Sequence, residues 1–245
     1  MRQPLPPLPE KYRLERLRLD IGRRRVLLDQ VANQEELLDE LIAKGENHPD
    51  VLDDRLPYWA DLWHSALALS RFLVQEGEVV RGEAVVELGC GLGLPGIVAG
   101  LEGGAVCFTD YLPEALALAR HNWALNCTGP ARFQLLDWRS PPADLKADLV
   151  LAADVAYEKR FFQPLLELFG TLLRPGGRIL LAEPGRGIAR PFLDELERRF
   201  RLNKSLLEQR WNDTTLAVGI YRLQMPAPGT PRLENSDNPR NESPS

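Results

Sequence analysis

Glycines concentrate in one short segment of the chain, which reads Val85-Val-Glu-Leu-Gly-Cys-Gly-Leu-Gly-Leu-Pro-Gly96 and lies between a predicted strand and a predicted helix. Glycines at such a junction allow a tight turn and let a ligand approach the backbone, while unpaired N–H groups at the start of the helix attract acceptor atoms. Asp110 ends the next predicted strand, where a carboxylate accepts hydrogen bonds from both hydroxyls of a ribose. The segment therefore predicts a ligand that carries adenosine.

Two classes of adenosine ligand fit this loop. Gly91-x-Gly93-x-x-Gly96 satisfies the dinucleotide fingerprint, and on that interpretation the chain is an NAD-dependent oxidoreductase. The other class is S-adenosylmethionine (SAM), which has no pyrophosphate to accommodate. The glycine series begins earlier than the fingerprint requires, with Glu87 before Gly89, and this favours SAM.

Two further details favour SAM. Asp110 follows Gly89 by 21 positions, which fits the spacing of about 20 expected when the early glycines make the turn. Asp137-Trp138 follows a later predicted strand, where a carboxylate can accept from the adenine amine and an indole can pack on the ring. Both details place adenosine contacts at strand ends.

Several segments match a known pattern. They are Tyr58-Trp-Ala-Asp-Leu-Trp-His-Ser-Ala-Leu-Ala-Leu-Ser70, Val86-Glu-Leu-Gly-Cys-Gly-Leu-Gly-Leu-Pro-Gly96, Thr109-Asp110, Asp137-Trp138, Ala153-Asp-Val-Ala-Tyr157 and Glu183-Pro-Gly-Arg186. In these segments the chain resembles methyltransferase family 16, a group of seven-strand SAM-dependent methyltransferases rich in protein-lysine methyltransferases. The resemblance spans about residues 57–223, and the Asp-x-x-Tyr motif at 154–157 is its most specific mark.

The resemblance implies a role for each matching position. It places SAM among Trp63, Gly89, Gly91, Asp110, Trp138 and Ala153, with Trp63 closing over the bound molecule. Glu87 and Asp137 join this cofactor-binding set on the chemical grounds given above. The resemblance also implies that Asp154 and Tyr157 face the acceptor amine, and that the acceptor is a lysine of a protein substrate.

Transfer of a methyl group from a sulfonium demands mainly alignment, since proximity and orientation supply about 7–11 kcal/mol of a barrier. We predict that Asp154 and nearby carbonyl groups orient the amine, while Tyr157 packs beside the transfer path. A small-molecule amine, as in nicotinamide-type N-methyltransferases, is the alternative acceptor. No His, Cys and Asp residues stand at metal-ligand spacing, so no metal site is predicted.

The elements that must position these residues alternate along the chain. Strands are predicted at 84–88, 105–110, 133–136, 148–152 and 178–182, helices at 95–101, 112–125, 161–173 and 191–200, and two final strands at 205–211 and 214–223. Repeated strand–helix units indicate an α/β fold with a mostly parallel sheet covered on both faces. The final pair, joined at Asn212-Asp213, adds an antiparallel hairpin. The expected architecture is thus a Rossmann-like, seven-stranded methyltransferase sheet.

Three regions are predicted along the chain. Residues 1–56 form an N-terminal extension, with a strand hairpin that turns at Gly22 and a helix from Asn33 to Gly45. Residues 57–224 form the methyltransferase domain. Residues 225–245 are rich in Pro, Ser and Asn and are predicted to be a disordered tail.

Composition excludes several classes of protein. The chain has 245 residues, 44% of them hydrophobic, and a net charge of −5, which suits a globular protein and argues against a nucleic-acid partner. No stretch of about 18 apolar residues predicts a membrane span, and the N-terminus lacks the apolar core of a signal peptide. Three scattered cysteines predict reduced thiols rather than a disulfide framework. We therefore expect a cytoplasmic protein.

Overall fold

The computed structural model describes residues 8–48, 51 and 56–226. Within this part of the chain, no helix is both long enough and apolar enough to cross a membrane. The predicted disordered tail, 225–245, lies outside the described residues from position 227 onward.

The N-terminal segment forms a hairpin and a helix. Strands β1 (Leu14–Ile21) and β2 (Arg24–Val31) pair in antiparallel register, and α1 spans Gln34–Ala43. Gly22 adopts a left-handed φ of 57° at the turn, as predicted. Alternate residues of both strands are buried, so that one face of the hairpin carries an apolar surface that must be covered.

Seven further strands form one mixed sheet. They are β3 (Ala84–Leu88), β4 (Ala105–Asp110), β5 (Arg132–Leu135), β6 (Ala147–Ala153), β7 (Leu173–Glu183), β8 (Arg201–Trp211) and β9 (Thr214–Gln224). The strand order is β5-β4-β3-β6-β7-β9-β8, and β9 runs antiparallel to both of its neighbours whereas the other pairings are parallel. This confirms the predicted Rossmann-like sheet with a C-terminal antiparallel hairpin.

Helices cover both faces of the sheet. They are α2 (His64–Gln75), α3 (Leu94–Leu101), α4 (Pro113–Asn126), α5 (Phe162–Leu172) and α6 (Arg190–Arg199), and short 3₁₀ turns lie at Pro57–Ala60, Lys159–Phe161 and Gly187–Ala189. Adjacent residues of β3 show the two layers: Val85 packs in the same core as Leu73 of α2, and Val86 in the same core as Phe169 of α5. Strands buried on both faces read as continuous apolar runs, which explains the pattern of β3 and β6.

Two strands begin well before their predicted starts. Pro175-Gly-Gly lies between the predicted helix and the predicted strand, but β7 begins at Leu173 and passes through these residues, with Gly176 at a φ of 80° and a register shift against β6. β8 begins at Arg201, directly after α6. The final turn matches its prediction, since Asn212 and Asp213 both have left-handed φ values, of 43° and 47°.

The hairpin is fastened to α4 by two asparagines one helical turn apart. The side chain of Asn122 accepts from the Asp29 N–H at 2.8 Å and donates to the Asp29 carbonyl at 2.9 Å. Asn126 makes the same pair of bonds to Leu27, at 2.9 and 2.7 Å. Each side-chain amide thus makes the pair of hydrogen bonds that a peptide group of a neighbouring strand would make. Together with fully buried Ile21, this makes the extension share a core with the sheet.

The order of the sheet reverses between β3 and β6. β4 and β5 extend it on one side, and β7, β9 and β8 extend it on the other. In open α/β sheets the crevice at such a switch point, beyond the carboxyl ends of the strands, is where ligands bind. The glycine-rich loop follows β3, and the predicted Asp-x-x-Tyr motif follows β6. The fold therefore brings these two motifs side by side.

Candidate active site

A cavity of about 660 Å³ opens at this switch point. Its volume is in the range of about 300–1,000 Å³ that small-molecule sites occupy. Every residue predicted from the sequence to bind cofactor or acceptor lines it, namely Trp63, Glu87, Gly89, Gly91, Asp110, Asp137, Trp138, Ala153, Asp154 and Tyr157. The strand ends therefore gather in one place side chains that are up to 94 positions apart in the chain.

The glycine-rich loop is tightly packed at two of its glycines. Gly89 and Gly91 have left-handed φ values of 59° and 49°. A Cβ on Gly89 would lie 3.2 Å from the Trp138 ring, and one on Gly91 would lie 3.2 Å from the backbone oxygen of Trp59. Both conformation and close approach require glycine here, as the sequence indicated.

Asp110 is a buried carboxylate that braces the loop. Its two oxygens accept the N–H groups of Gly91 and Leu112, each at 3.0 Å. Burial raises the pKa of Asp110, and these backbone hydrogen bonds oppose the rise. A carboxylate has about four acceptor positions, so Asp110 retains capacity for ligand hydroxyl groups.

Glu87 is the second buried acid beside the loop, and its side chain is only 3% exposed. One of its oxygens accepts the Gly96 N–H at 3.1 Å, which ties the end of β3 to the first turn of α3. Burial raises the pKa of Glu87 well above its ordinary value, and the hydrogen bond from Gly96 partly offsets this. Glu87 therefore shapes the loop as well as lining the cavity.

Asp137 and Trp138 differ in what they offer a ligand. The Asp137 carboxylate already holds Arg139 in a bidentate ion pair, with N–O distances of 2.8 Å, and this guanidinium lowers the pKa of Asp137. Trp138 packs edge-on against Phe161 at a centroid distance of 5.4 Å. Its buried indole N–H has no hydrogen-bond partner in the part of the chain that the structure describes. A buried donor without a partner points to an acceptor supplied by a ligand.

The opposite end of the cavity is formed by the residues after β6. Asp154 has a left-handed φ of 59°, which Asp tolerates better than most residues, and its N–H donates to the Ala182 carbonyl at 3.0 Å. The Asp154 carboxylate is ion-paired with the Arg186 guanidinium. Tyr157 packs edge-on against Tyr58 at 5.9 Å, and burial raises the pKa of Tyr157 above its ordinary value of 10.

A wall of the cavity is formed by the segment that precedes α2. The Trp63 indole N–H donates to the Tyr58 carbonyl at 2.8 Å, which closes this segment on itself. The Arg186 guanidinium lies over the Trp63 ring at 5.7 Å from its centroid. Trp63, Arg186 and Asp154 therefore form a continuous chain of contacts across the cavity.

Comparison with known proteins decides the family. The sequence pattern of a family described as lysine methyltransferase matches residues 58–199. The chain is 36% identical over 174 residues to mouse EEF1A lysine methyltransferase 3, covering 69% of this chain and 74% of the relative. It is 32% identical over 174 residues to the Xenopus laevis electron transfer flavoprotein beta subunit lysine methyltransferase, covering 67% and 69%.

The chain belongs to the lysine methyltransferase family. It is accordingly a SAM-dependent methyltransferase, and the oxidoreductase interpretation of its glycine loop is wrong.

Solved structures agree on the fold. A putative RNA methyltransferase from Pyrococcus horikoshii superposes with a TM-score of 0.53 at 20% identity, covering 82% of this chain and 100% of that one. The magnesium protoporphyrin IX methyltransferase of Synechocystis PCC 6803, solved with bound SAM, gives 0.52 at 16% identity, covering 79% and 92%.

The residues at the glycine-loop end of this lysine methyltransferase fit SAM. Two buried acids, Glu87 and Asp110, offer acceptor oxygens that suit hydroxyl and amino groups, whereas a pyrophosphate presents only acceptors of its own. At Gly89 and Gly91 the backbone itself faces the cavity, because a Cβ at either position would lie only 3.2 Å from its nearest neighbour. The partnerless indole N–H of Trp138 provides a donor beside an aromatic face. Among the described residues, no group of His, Cys, Asp and Glu could hold a metal ion.

Several cavity residues have no role assigned from the sequence, among them Trp59, Phe161 and Arg186. Trp59 lines the cavity while packing edge-on against Tyr12 at 5.4 Å. Phe161 supports Trp138, and Arg186 pairs with Asp154. Arg186 lies inside a segment that resembles the family, but its contact with Asp154 spans 32 positions and depends on the fold.

Proposed function

We propose that this enzyme methylates the side-chain amine of a lysine in a protein substrate. The observation that carries the proposal is a cavity with two chemically different ends, one built for SAM and one carrying Asp154 and Tyr157. Its rim includes Tyr58, which is 47% exposed and available to a docked chain. The names of the relatives, which act on EEF1A and on an electron transfer flavoprotein subunit, support a protein substrate.

We assign the cofactor end as follows. Asp110 accepts the ribose hydroxyls, Trp138 packs against the adenine, and Asp137 is its polar neighbour. The backbone at Gly89 and Gly91 lies along the methionine portion of SAM. Glu87 braces the turn and accepts a hydrogen bond from the amino group of that methionine portion. Trp63 closes over the cofactor, and the small side chain of Ala153 leaves space where the cofactor end and the acceptor end of the cavity meet.

We assign the acceptor end to Asp154 and Tyr157. When bound, SAM supplies a methyl group whose bond to sulfur breaks as the amine nitrogen bonds to it. Asp154 and the carbonyl groups near it orient the amine for in-line attack. Tyr157 and Tyr58, packed edge-on, form an apolar wall along the methylene groups of the lysine and exclude water from the path.

We assign residues 57–224 as the catalytic unit and 1–56 as an extension, whose strand β2 is bonded to α4. No disulfide joins Cys90, Cys107 and Cys127, which supports a reducing compartment such as the cytoplasm. The net charge of −5 supports a protein rather than a nucleic acid as partner.

Tritium labelling tests the acceptor. The enzyme is incubated with methyl-tritiated SAM and a lysate of source cells that lack its gene. We expect label in protein and, after acid hydrolysis, in methylated lysine. Label confined to the small-molecule fraction contradicts the proposal and supports the nicotinamide-type alternative, and label in histidine assigns a different side chain.

A matched pair of glycine variants tests the cofactor end. In Gly91→Ala the new Cβ lies 3.2 Å from the Trp59 carbonyl oxygen at a left-handed φ, so we expect affinity for S-adenosylhomocysteine to fall at least about tenfold. In Gly170→Ala, on α5, the Cβ has no neighbour within 4 Å and affinity stays as in the wild type. Titration calorimetry measures both. Equal affinity in the two variants would remove the loop from the cofactor site.

A further inference from the structure

Arg186 contacts two groups that would attract a cation, Asp154 at the acceptor end and the ring face of Trp63, which closes over the cofactor. Its guanidinium is ion-paired with Asp154, whose side chain is 10% exposed, while that of Arg186 is 32% exposed. The same guanidinium lies over the face of Trp63, 5.7 Å from the ring centroid. A carboxylate and an indole face are the natural partners of a lysine ammonium, and here both already have a positive partner.

Arg186 is held in this position by its own backbone. The Glu183 carboxylate at the end of β7 accepts the N–H of Gly185 at 2.6 Å and that of Arg186 at 3.0 Å. On the other side, the Asp154 N–H donates to the Ala182 carbonyl of the same strand. The turn after β7 and the motif after β6 are therefore fixed to each other, and the guanidinium is a preorganised part of the cavity wall.

We propose that Arg186 makes the acceptor end select the uncharged form of the lysine amine, by neutralising Asp154 and placing a fixed cation beside the reacting nitrogen. This inference rests on the proposed function, because it concerns the lysine acceptor. A free lysine has a pKa of about 10.4, so only about one in a thousand is unprotonated at pH 7.4. The proton must leave to solvent before the nitrogen can attack. A neighbouring cation favours that loss, since like charges disfavour the protonated form.

The other ionisable groups at this end do not replace Arg186. Glu158 and Arg160 form an ion pair with each other at 2.6 Å. Asp61 accepts the Leu62 N–H at 2.8 Å. Glu183 lies behind the turn and accepts two backbone N–H groups, while Glu87, Asp110 and Asp137 lie at the cofactor end. The phenols are Tyr58 and Tyr157, and the raised pKa of Tyr157 keeps its hydroxyl protonated below pH 10.

The pH dependence of transfer tests the proposal with Arg186→Gln, Arg186→Lys and a control, Arg190→Gln. Arg190 lies four residues along the chain and is 78% exposed in an ion pair with Asp194. With enzyme in excess and SAM saturating, tritium transfer to the proteins of the gene-deleted lysate is timed from pH 6.5 to 10. The wild-type rate rises with pH as the amine loses its proton. The pH at the midpoint of this rise gives the apparent pKa of the acceptor amine.

In Arg186→Gln we expect that midpoint to move up by at least about one pH unit, because Asp154 is then left to stabilise the ammonium. The rate at pH 7 falls about tenfold, and the rate near pH 10 approaches the wild-type value. Arg186→Lys keeps the charge and therefore the midpoint, and Arg190→Gln behaves as the wild type. Calorimetric affinity for S-adenosylhomocysteine within about twofold of the wild type shows that each variant is folded.

Two results would overturn the inference while leaving the proposed function intact. One is an Arg186→Gln rate lowered equally at every pH, and the other is a midpoint that moves in Arg186→Lys as far as in Arg186→Gln. If Arg186→Gln does not fold, the Arg186→Lys midpoint alone decides, since any upward shift there contradicts a role based on charge. A wild-type enzyme that labels no protein lysine contradicts the proposed function instead.

Discussion

Two clusters of arginine and carboxylate side chains lie at opposite ends of the parallel strands, a buried one at the amino ends (the amino edge) and a half-buried one at the carboxyl ends (the carboxyl edge). At the amino edge, Arg178 makes a bidentate ion pair with Glu83, both bonds at 3.0 Å, and also contacts Glu78, which in turn pairs with Arg222. At the carboxyl edge, Arg186 pairs with Asp154 beside the cavity. The contacts are similar, yet their surroundings differ.

The difference lies in exposure and backbone. Arg178 is 15% exposed and fixed within a strand, and its two acids are 2% and 7% exposed. Arg186 is about twice as exposed, sits on a turn after its strand, and meets an acid with a left-handed backbone. Buried ion pairs therefore do not by themselves mark a functional site. Position at the carboxyl ends, next to a cavity, distinguishes the pair that can act on a ligand.

The largest effect should come from breaking the amino-edge cluster. In Arg178→Met the buried Glu83 loses its arginine partner and Glu78 keeps only Arg222, and we expect a loss of about 3–5 kcal/mol in the free energy of unfolding. Arg174→Met, on the same strand, removes a pair with Asp148 whose side chains are 48% and 36% exposed, and should cost less than about 1 kcal/mol. Urea unfolding measures both. Equal losses would contradict the distinction drawn from burial.

The carboxyl edge should respond in activity rather than stability. Asp154→Asn keeps the shape and tolerates the left-handed φ, but it weakens the hold on the amine and on Arg186. We expect the rate of methyl transfer to fall about 100-fold, with unchanged affinity for S-adenosylhomocysteine. Asp148→Asn, at the opposite end of the same strand, is the matched control and should keep its rate. A normal rate in Asp154→Asn would remove this residue from the acceptor site.

Sequence alone predicted the elements whose signals are local. The hairpin turn at Gly22, the Asn212-Asp213 turn and the spacing from the glycine loop to Asp110 depend on neighbouring residues, and the structure agrees with each. The start of β7 was missed because Pro175-Gly-Gly normally ends an element, whereas pairing with β6 extends the strand through it. Tertiary pairing overrode a local signal there.

The two charge clusters could not be predicted, because their partners are distant in sequence. Arg178 and Glu78 are 100 positions apart, and Arg186 and Asp154 are 32 apart. The pattern of the chain identified Asp154 from a motif but offered no partner for it. The bonds that Asn122 and Asn126 make to β2 were missed for the same reason.

A further buried acid, Asp29, extends the comparison to the hairpin. It is 4% exposed, holds Arg16 through bonds of 2.7 and 2.9 Å, and contacts His121 at 2.7 Å, and none of these three residues lines the cavity. The Arg16 guanidinium lowers the pKa of Asp29 below its ordinary value of 3.8, although burial opposes the change. Its contribution to stability is therefore complete above pH 4 and is lost as pH falls through the lowered pKa.

Asp29→Asn measures that contribution. The wild type should be more stable than the variant at pH 7 and at pH 5, and the difference in unfolding free energy should shrink progressively below about pH 4. Unfolding in urea at pH 7, 5, 4 and 3 gives this curve, while methyl transfer at pH 7.5 stays at the wild-type rate. A difference that stays constant down to pH 3 would show that Asp29 acts through packing and not through its charge.

The smallest effect on the rate of methyl transfer is expected at Tyr157. Two variants there distinguish a role of the hydroxyl group from a role of the aromatic ring as part of the cavity wall. Tyr157→Phe keeps the edge-on contact with Tyr58 and removes a hydroxyl that burial holds in its protonated form. The rate should change less than about threefold, whereas Tyr157→Ala opens the apolar wall and should lower it about tenfold or more. Rates measured under saturating SAM distinguish the two. A loss of rate in Tyr157→Phe as large as that in Asp154→Asn would mean that the hydroxyl group itself contacts the amine. The acceptor would then be positioned by two polar groups, the Tyr157 hydroxyl and the Asp154 carboxylate, rather than by one carboxylate and an apolar wall.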